Sequence, residues 1–146
     1  MKTLVIFYSY TGTAKRIALN YAVQNAAETL EILDVKRPGV LKAYTSGCVA
    51  AMQGKPWAIR PLAVNPGAYN RLVLFVPVWA NNLPPAVNAL LALLPGGKKI
   101  EVKAVSGSGR SGQKCKERLG SLLQAKGCTL ESYTDLKQSD ALRELQ

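Results

Sequence analysis

Histidine is missing from all 146 residues. That absence excludes a histidine general base, a histidine-activated nucleophile and imidazole ligation of a metal. Cysteine is scarce. Cys48, Cys115 and Cys128 are an odd set without metal-ligand spacing, which argues against a disulfide framework and fits a reducing, cytoplasmic setting. Cys115 falls on the inner face of a predicted helix and Cys48 and Cys128 in apolar settings, so all three read as buried small hydrophobes rather than reactive thiols. Carboxylates are also few: nine Asp and Glu stand against 19 Lys and Arg, for a formal charge of +10 and an isoelectric point near 9.7. So basic a chain favours anionic partners. No apolar run nears the roughly 18 residues that a bilayer-crossing helix needs. The opening MKTLVIFYSYTG lacks a small-residue cleavage site and reads as a strand of the mature protein, not a secretory signal.

Apolar residues nevertheless make up 48% of the chain, enough for a full core, and the length suits a single domain over 1–146. Residues 2–8 (KTLVIFY) and 29–35 (TLEILDV) read as strands. Residues 71–78 (RLVLFVPV) form the most apolar strand, with a composition that suits burial on both faces. Two further strands are expected at 99–105 and 128–134. Between them, 14–26 carries a helical stripe of Ala14, Ile17, Ala18, Tyr21 and Ala22. A weaker helix is expected around 40–52, ahead of a Gly54-Lys55-Pro56 loop. Pro84 and Pro85 start a helix with Val87, Leu90, Leu91 and Leu94 on one face, which Pro95-Gly96-Gly97 stops. A last helix spans 112–126, with Cys115, Leu119, Leu122 and Leu123 inward. The final ten or so residues are polar and form either a short helix or a loose tail. Strands alternating with helices imply an α/β fold: a doubly wound, five-stranded parallel sheet with helices on both faces.

Ligands of such sheets bind beyond the carboxyl ends of the strands, where strand order reverses. The loop after the first strand, Ser9-Tyr10-Thr11-Gly12-Thr13-Ala14, offers hydroxyls, a turning glycine and a helix N-terminus. Those are the parts of an anion site, and equally of an ordinary helix cap. Its spacing is neither that of a P-loop nor G-x-G-x-x-G, and hydroxyls in place of lysine suit a phosphate monoester. After the third strand comes Pro77-Val78-Trp79-Ala80-Asn81-Asn82. Trp79 either stacks on a flat ligand or folds onto the next helix, and the asparagines either meet a heterocycle edge or make the turn. The third loop, Ser106-Gly107-Ser108-Gly109-Arg110-Ser111-Gly112, permits close backbone approach to a ligand, or is simply a flexible connector. Lys98 to Arg118 is the densest basic stretch, but it has few interleaved aromatics, which disfavours nucleic-acid recognition.

Together these segments resemble the flavodoxin-like family of FMN-binding proteins, over about residues 2–136. Ser9–Ala14 resembles the family's phosphate loop, with Ala14 standing where the family pattern has its last threonine. Residues 71–80 with Pro84-Pro85 resemble its third-strand segment. Residues 106–112 lie where its other ring-contacting loop lies, and Met52 to Asn70 is similar to a subgroup of short members. The resemblance implies strand order 2-1-3-4-5 and FMN as cofactor. It places Ser9, Tyr10, Thr11, Gly12, Thr13 and Ala14 around the phosphate, and Pro77, Val78, Trp79, Ala80 and Asn81 beside the isoalloxazine. Ser106, Gly107, Ser108 and Gly109 then border its polar edge. The implied function is electron transfer or flavin-dependent redox chemistry. Family carriers are acidic and dock on basic partners, whereas this basic chain implies an acidic redox partner. Two other functions remain open: a non-enzymatic binding protein with a degenerate FMN site, and a reductase that draws hydride from a nicotinamide.

Overall fold

The computed structural model describes residues 2–145. Five strands, β1 (Thr3–Phe7), β2 (Glu28–Glu31), β3 (Arg71–Pro77), β4 (Lys99–Ser106) and β5 (Thr129–Lys137), form one parallel sheet in the order β2-β1-β3-β4-β5. This is the expected order. The two most apolar strands occupy the middle, where both faces need covering, with Ile6 of β1 level with Leu30 of β2 and Leu74 of β3.

Strand alternation divides the core in two. Leu4, Ile6, Leu72, Leu74, Val76, Ile100 and Val102 face α4 (Pro85–Leu93) and α5 (Gln113–Ala125), which supply Val87, Leu90, Leu91, Leu119 and Leu123. Val5, Phe7, Val73, Phe75 and Val105 face α1 (Thr13–Gln24), which buries Ala14, Ile17, Ala18 and Ala22. Two strand ends differ by several residues from the sequence expectation. β2 ends at Glu31, not near residue 35: Ile32 still donates to the Phe7 carbonyl, but Asp34 then turns to an antiparallel bridge with Ile59. β5 runs past 134 to Lys137, because β4 extends to Ser106 and offers a ladder that far. The polar tail is the short-helix alternative, α6 (Gln138–Arg143), held on the α1 face by Ala141, Leu142 and Leu145.

The expected helix around 40–52 forms in three pieces: α2 (Val40–Lys42), a π-turn (Ala43–Gly47) and α3 (Cys48–Met52). Cys48 departs from its expected burial. It is half-buried, whereas Cys115 and Cys128 are buried.

Two helices end in the same motif with different residues. After α5, Gly127 at φ +71° lets Cys128 donate to Leu123 O and Gly127 to Gln124 O. After α1, Ala27 donates to Ala22 O and Ala26 to Val23 O, with Ala26 forced to φ +49°. A left-handed alanine costs about 1 kcal/mol that glycine does not. Ala26→Gly is therefore expected to raise unfolding stability by about 1 kcal/mol and Gly127→Ala to lower it by a similar amount, both readable by urea denaturation.

Candidate functional site

β1 and β3 are neighbours whose following helices cover opposite faces of the sheet, so the chain leaves their carboxyl ends in opposite directions. The cleft opened there holds about 180 Å³. Its lining includes Ser9, Tyr10, Thr11, Thr13, Ala14, Pro77, Val78, Trp79, Ser106 and Gly107, so the three loops converge. Gly12, Ala80, Asn81, Ser108 and Gly109 lie in the same loops but not on the cleft wall.

On the β1 side, Gly12 caps α1 at φ +97° with no side-chain cap. Ser9 Oγ accepts the Gly12 N–H at 3.0 Å, which folds the loop back. The N–H groups of Thr13, Ala14 and Lys15 have no partner among the described residues. The Ser9 hydroxyl is an acceptor in that bond, which leaves its proton free. Thr13 Oγ1 accepts from Thr11 and from Gln138 Nε2, each at 3.4 Å, so its proton is free too. Free N–H groups at the positive end of a helix, flanked by uncommitted hydroxyls, make a neutral-donor anion cradle. Lys15 takes no part, since its ammonium pairs with Glu31 at 3.1 Å.

On the β3 side, Trp79 and Asn82 exchange both backbone hydrogen bonds, at 2.7 and 2.9 Å. Ala80 and Asn81 between them sit at φ +49° and +63°, a tight turn with both central residues left-handed. The turn holds the Trp79 ring against Tyr10 (centroids 5.8 Å apart), Tyr8 (6.3 Å) and Trp57 (6.3 Å). Gly47, at the end of the π-turn, makes room for it: a β-carbon there would lie 2.8 Å from Trp79 Cζ3. Tyr10 is itself pinned. Its hydroxyl donates to Pro38 O, Arg37 lies over its ring at 4.5 Å, and Arg37 donates to its carbonyl.

The third loop is tied to the second by a hydrogen bond from Gly112 N to Asn81 O at 2.6 Å. Within it, Ser106 Oγ accepts the N–H groups of Gly109 and Arg110, and Ser108 Oγ a second bond from Arg110. Both serine side chains thus serve the loop, and Ser106 and Gly107 offer the cleft mainly backbone. Residues 107–112 read G-x-G-x-x-G between a strand and a helix. Its N–H groups at Gly109, Arg110 and Gly112 are consumed internally rather than left for a pyrophosphate. Beyond it, Ser111 binds Tyr133 and Asp135 at 2.7 Å each, and Lys116 pairs with Asp135. Burial pushes the nearby Cys115 thiol above its ordinary value, which makes it a packing residue and not a nucleophile.

Gln138 and Trp57 were not foreseen as part of this site. Gln138 belongs to the polar tail, and only the docking of α6 brings it to the phosphate-type loop. Trp57 is remote in sequence, and only its contact with Trp79 marks it.

Next to the cleft, sharing Ser9 and Tyr10 with it, lies a depression of about 370 Å³ lined also by Asp34, Arg37 and Arg60. Tyr8 donates to Asp34 Oδ2 at 2.7 Å. Burial raises the Tyr8 hydroxyl and, despite the Tyr8 bond and Arg37, also the Asp34 carboxyl above its ordinary 3.8. A raised carboxylate holds its proton more tightly folded than unfolded. Its stability contribution is therefore full below pH 3.8 and lost as pH rises through the folded value. Asp34→Asn keeps an oxygen for Tyr8 and has no charge to bury. It is expected to flatten the fall in urea-unfolding stability as pH rises above 3.8.

No family model and no curated protein matches the sequence. Solved structures do match. The flavoprotein of Lactobacillus acidophilus NCFM, solved in complex with FMN, superposes with a TM-score of 0.76 at 17% identity, covering 95% of this chain and 96% of its own. The Trp repressor binding protein of Bacillus subtilis gives 0.59 at 16% identity over 99% and 94% of the two chains. The two-electron reduced flavodoxin of Megasphaera elsdenii gives 0.55 at 16% identity over 93% and 86%. At such identities the likeness establishes architecture: the fold is flavodoxin-like, and the structural neighbours are flavodoxin-like flavoproteins.

Proposed function

We propose that this flavodoxin-fold chain binds FMN in the β1/β3 cleft and works in electron transfer or flavin-dependent redox chemistry. The observation that carries the reading is the uncapped N-terminus of α1, with free N–H groups at Thr13, Ala14 and Lys15 beside the Ser9 and Thr13 hydroxyls and opposite Trp79. A phosphate monoester is held by these donors, with Thr11 and Gly12 shaping the loop and Gln138 closing it. Trp79 and Tyr10 border the planar ring, while the Ser106-Gly107 backbone, with Ser108 and Gly109 behind it, faces its polar edge. Pro77, Val78, Ala80 and Asn81 set the angle at which Trp79 meets the ligand. Ala14 is buried beneath the loop and gives no hydroxyl to the phosphate. Bound FMN supplies the redox chemistry, which no side chain here provides. The cofactor-bound neighbour from Lactobacillus acidophilus supports the choice of ligand.

The cleft of about 180 Å³ is below the roughly 300 Å³ at which enclosed small-molecule pockets begin, so the ring lies along an open face rather than inside a cavity. A second reading, a basic binding protein whose cleft is closed by its own aromatics, is favoured by the contacts of Trp79 with Tyr8, Tyr10 and Trp57.

Titration of the full chain with FMN and with riboflavin, followed by flavin fluorescence and calorimetry, separates the two. The proposal expects quenching and FMN affinity at least about tenfold above riboflavin, from the charge-assisted phosphate contacts. No quenching and no heat at high micromolar ligand leaves only the second reading.

A further inference from the structure

The surface beside the cleft has a composition that the net charge alone does not convey. From residue 35 to residue 100 the chain contains no Asp or Glu. The same stretch carries most of the exposed large apolar side chains: six of the ten among the described residues lie between Val35 and Met52. Val40, Leu41 and Tyr44 are 68%, 79% and 79% exposed, and Val49 and Met52, also exposed, border one depression with Tyr44. Lys36, Arg37, Lys42, Lys55 and Arg60 are all exposed around them, and among the described residues none is in an ion pair. Basic residues elsewhere do find carboxylates, as Arg71 with Glu131 and Lys116 with Asp135. An apolar centre whose basic rim makes no ion pair has the anatomy of an interface, not of solvated surface.

We propose that this face, the segment 35–60 centred on the π-turn, is the docking surface for a small acidic electron-transfer protein. The acidity of the partner follows from the rim. Its redox character rests on the proposed function, because the face adjoins the cleft. The inner side of the segment carries Gly47, packed on Trp79, and Trp79 lines the cleft. A protein seated on the outer side stands about one helix diameter, roughly 10 Å, from the cleft aromatics.

Charge excludes a second copy of the chain as occupant. A two-fold contact here would set five cations against the same five, with only the half-buried Asp34 beside Arg37 to answer them. Tyr44, Thr45, Val49 and Met52 border a shallow, open depression of about 660 Å³, wide enough to receive a side chain from a partner. Acidic groups around an apolar knob complement both features.

The test is an amide NMR titration of the full ¹⁵N-labelled chain, with and without FMN, using a small acidic [2Fe–2S] ferredoxin as probe. Expected are shift changes concentrated in residues 35–60 in both states. Affinity should fall about tenfold or more between low salt and about 0.3 M salt. The exposed double variant Leu41→Glu/Tyr44→Glu should weaken binding at least about tenfold, with FMN affinity unchanged. Shift changes centred on Lys98–Arg118, or none at millimolar probe, overturn the proposal. So does sedimentation with phosphatidylserine vesicles that the double variant abolishes, or a dimer that it dissolves. Docking without FMN affinity would retain the surface and remove the cofactor reading. FMN affinity without docking would do the reverse.

Discussion

Thr13→Glu is expected to abolish FMN binding while making the ligand-free chain slightly more stable. The two effects have opposite signs because they share one cause. Thr13 is the first residue of α1, next to N–H groups without partners, and no acidic residue lies in that first turn. A carboxylate there answers the helix dipole in place of a ligand and stabilises the free chain by about 0.3–1 kcal/mol. It also repels a phosphate dianion. Two unit charges 4 Å apart near a protein surface interact by about 4 kcal/mol, and occupation of the N–H groups adds to the loss. The affinity for FMN should fall at least about 100-fold, whereas Thr13→Val, which removes only a hydroxyl, should cost roughly tenfold. Thermal denaturation and flavin titration on the same samples read both numbers. A Glu variant that still binds FMN within about threefold of the parent would place the phosphate elsewhere.

The largest expected loss of stability is at Phe75. It is 1% exposed, lies in the central strand β3, and packs against Tyr21 of α1 with ring centroids 5.3 Å apart. It also belongs to the smaller of the two core clusters, where fewer large side chains remain to close a void. Phe75→Ala is expected to cost about 3–5 kcal/mol, a large fraction of the roughly 5–15 kcal/mol that holds a domain folded. The comparison residue is Val23, exposed on the same α1 helix, where truncation to alanine should cost less than about 0.5 kcal/mol. Urea unfolding of the two variants measures the difference. A Phe75→Ala loss below about 1.5 kcal/mol would mean that α1 settles onto the sheet without that ring.

What could be read from the residues, and what could not, divides along physical lines. Leu72 to Val76 announce a doubly covered strand because a parallel sheet's middle has no solvent face on which polar residues alternate. Pro84-Pro85 and Pro95-Gly96-Gly97 bracket α4 because proline tolerates only the start of a helix, and a Pro-Gly-Gly run cannot continue one. The three loops were legible because each is short and fixed between a strand and a helix of clear pattern. The π-turn at Ala43–Gly47 was not, since a wider turn leaves almost no compositional trace, and the Trp79 ring against Gly47 comes from a remote segment. Gln138 escaped because α6 is a six-residue helix whose stability comes from docking on α1 and not from its own propensity. The aromatic group of Tyr8, Tyr10, Trp57 and Trp79 is assembled from three separate segments, and no spacing rule joins them.

The residues lining the cleft carry no formal charge, and the chain has no histidine. That wall therefore presents a phosphate with neutral donors and no carboxylate or ammonium. Apart from Asp34 in the adjoining depression, acid–alkali sensitivity in the uptake of a phosphorylated guest originates in the guest, whose second ionisation falls near pH 6. The affinity profile should then follow the phosphate's own titration curve and go flat for an unphosphorylated analogue, as though the protein were a passive electrode reading its ligand.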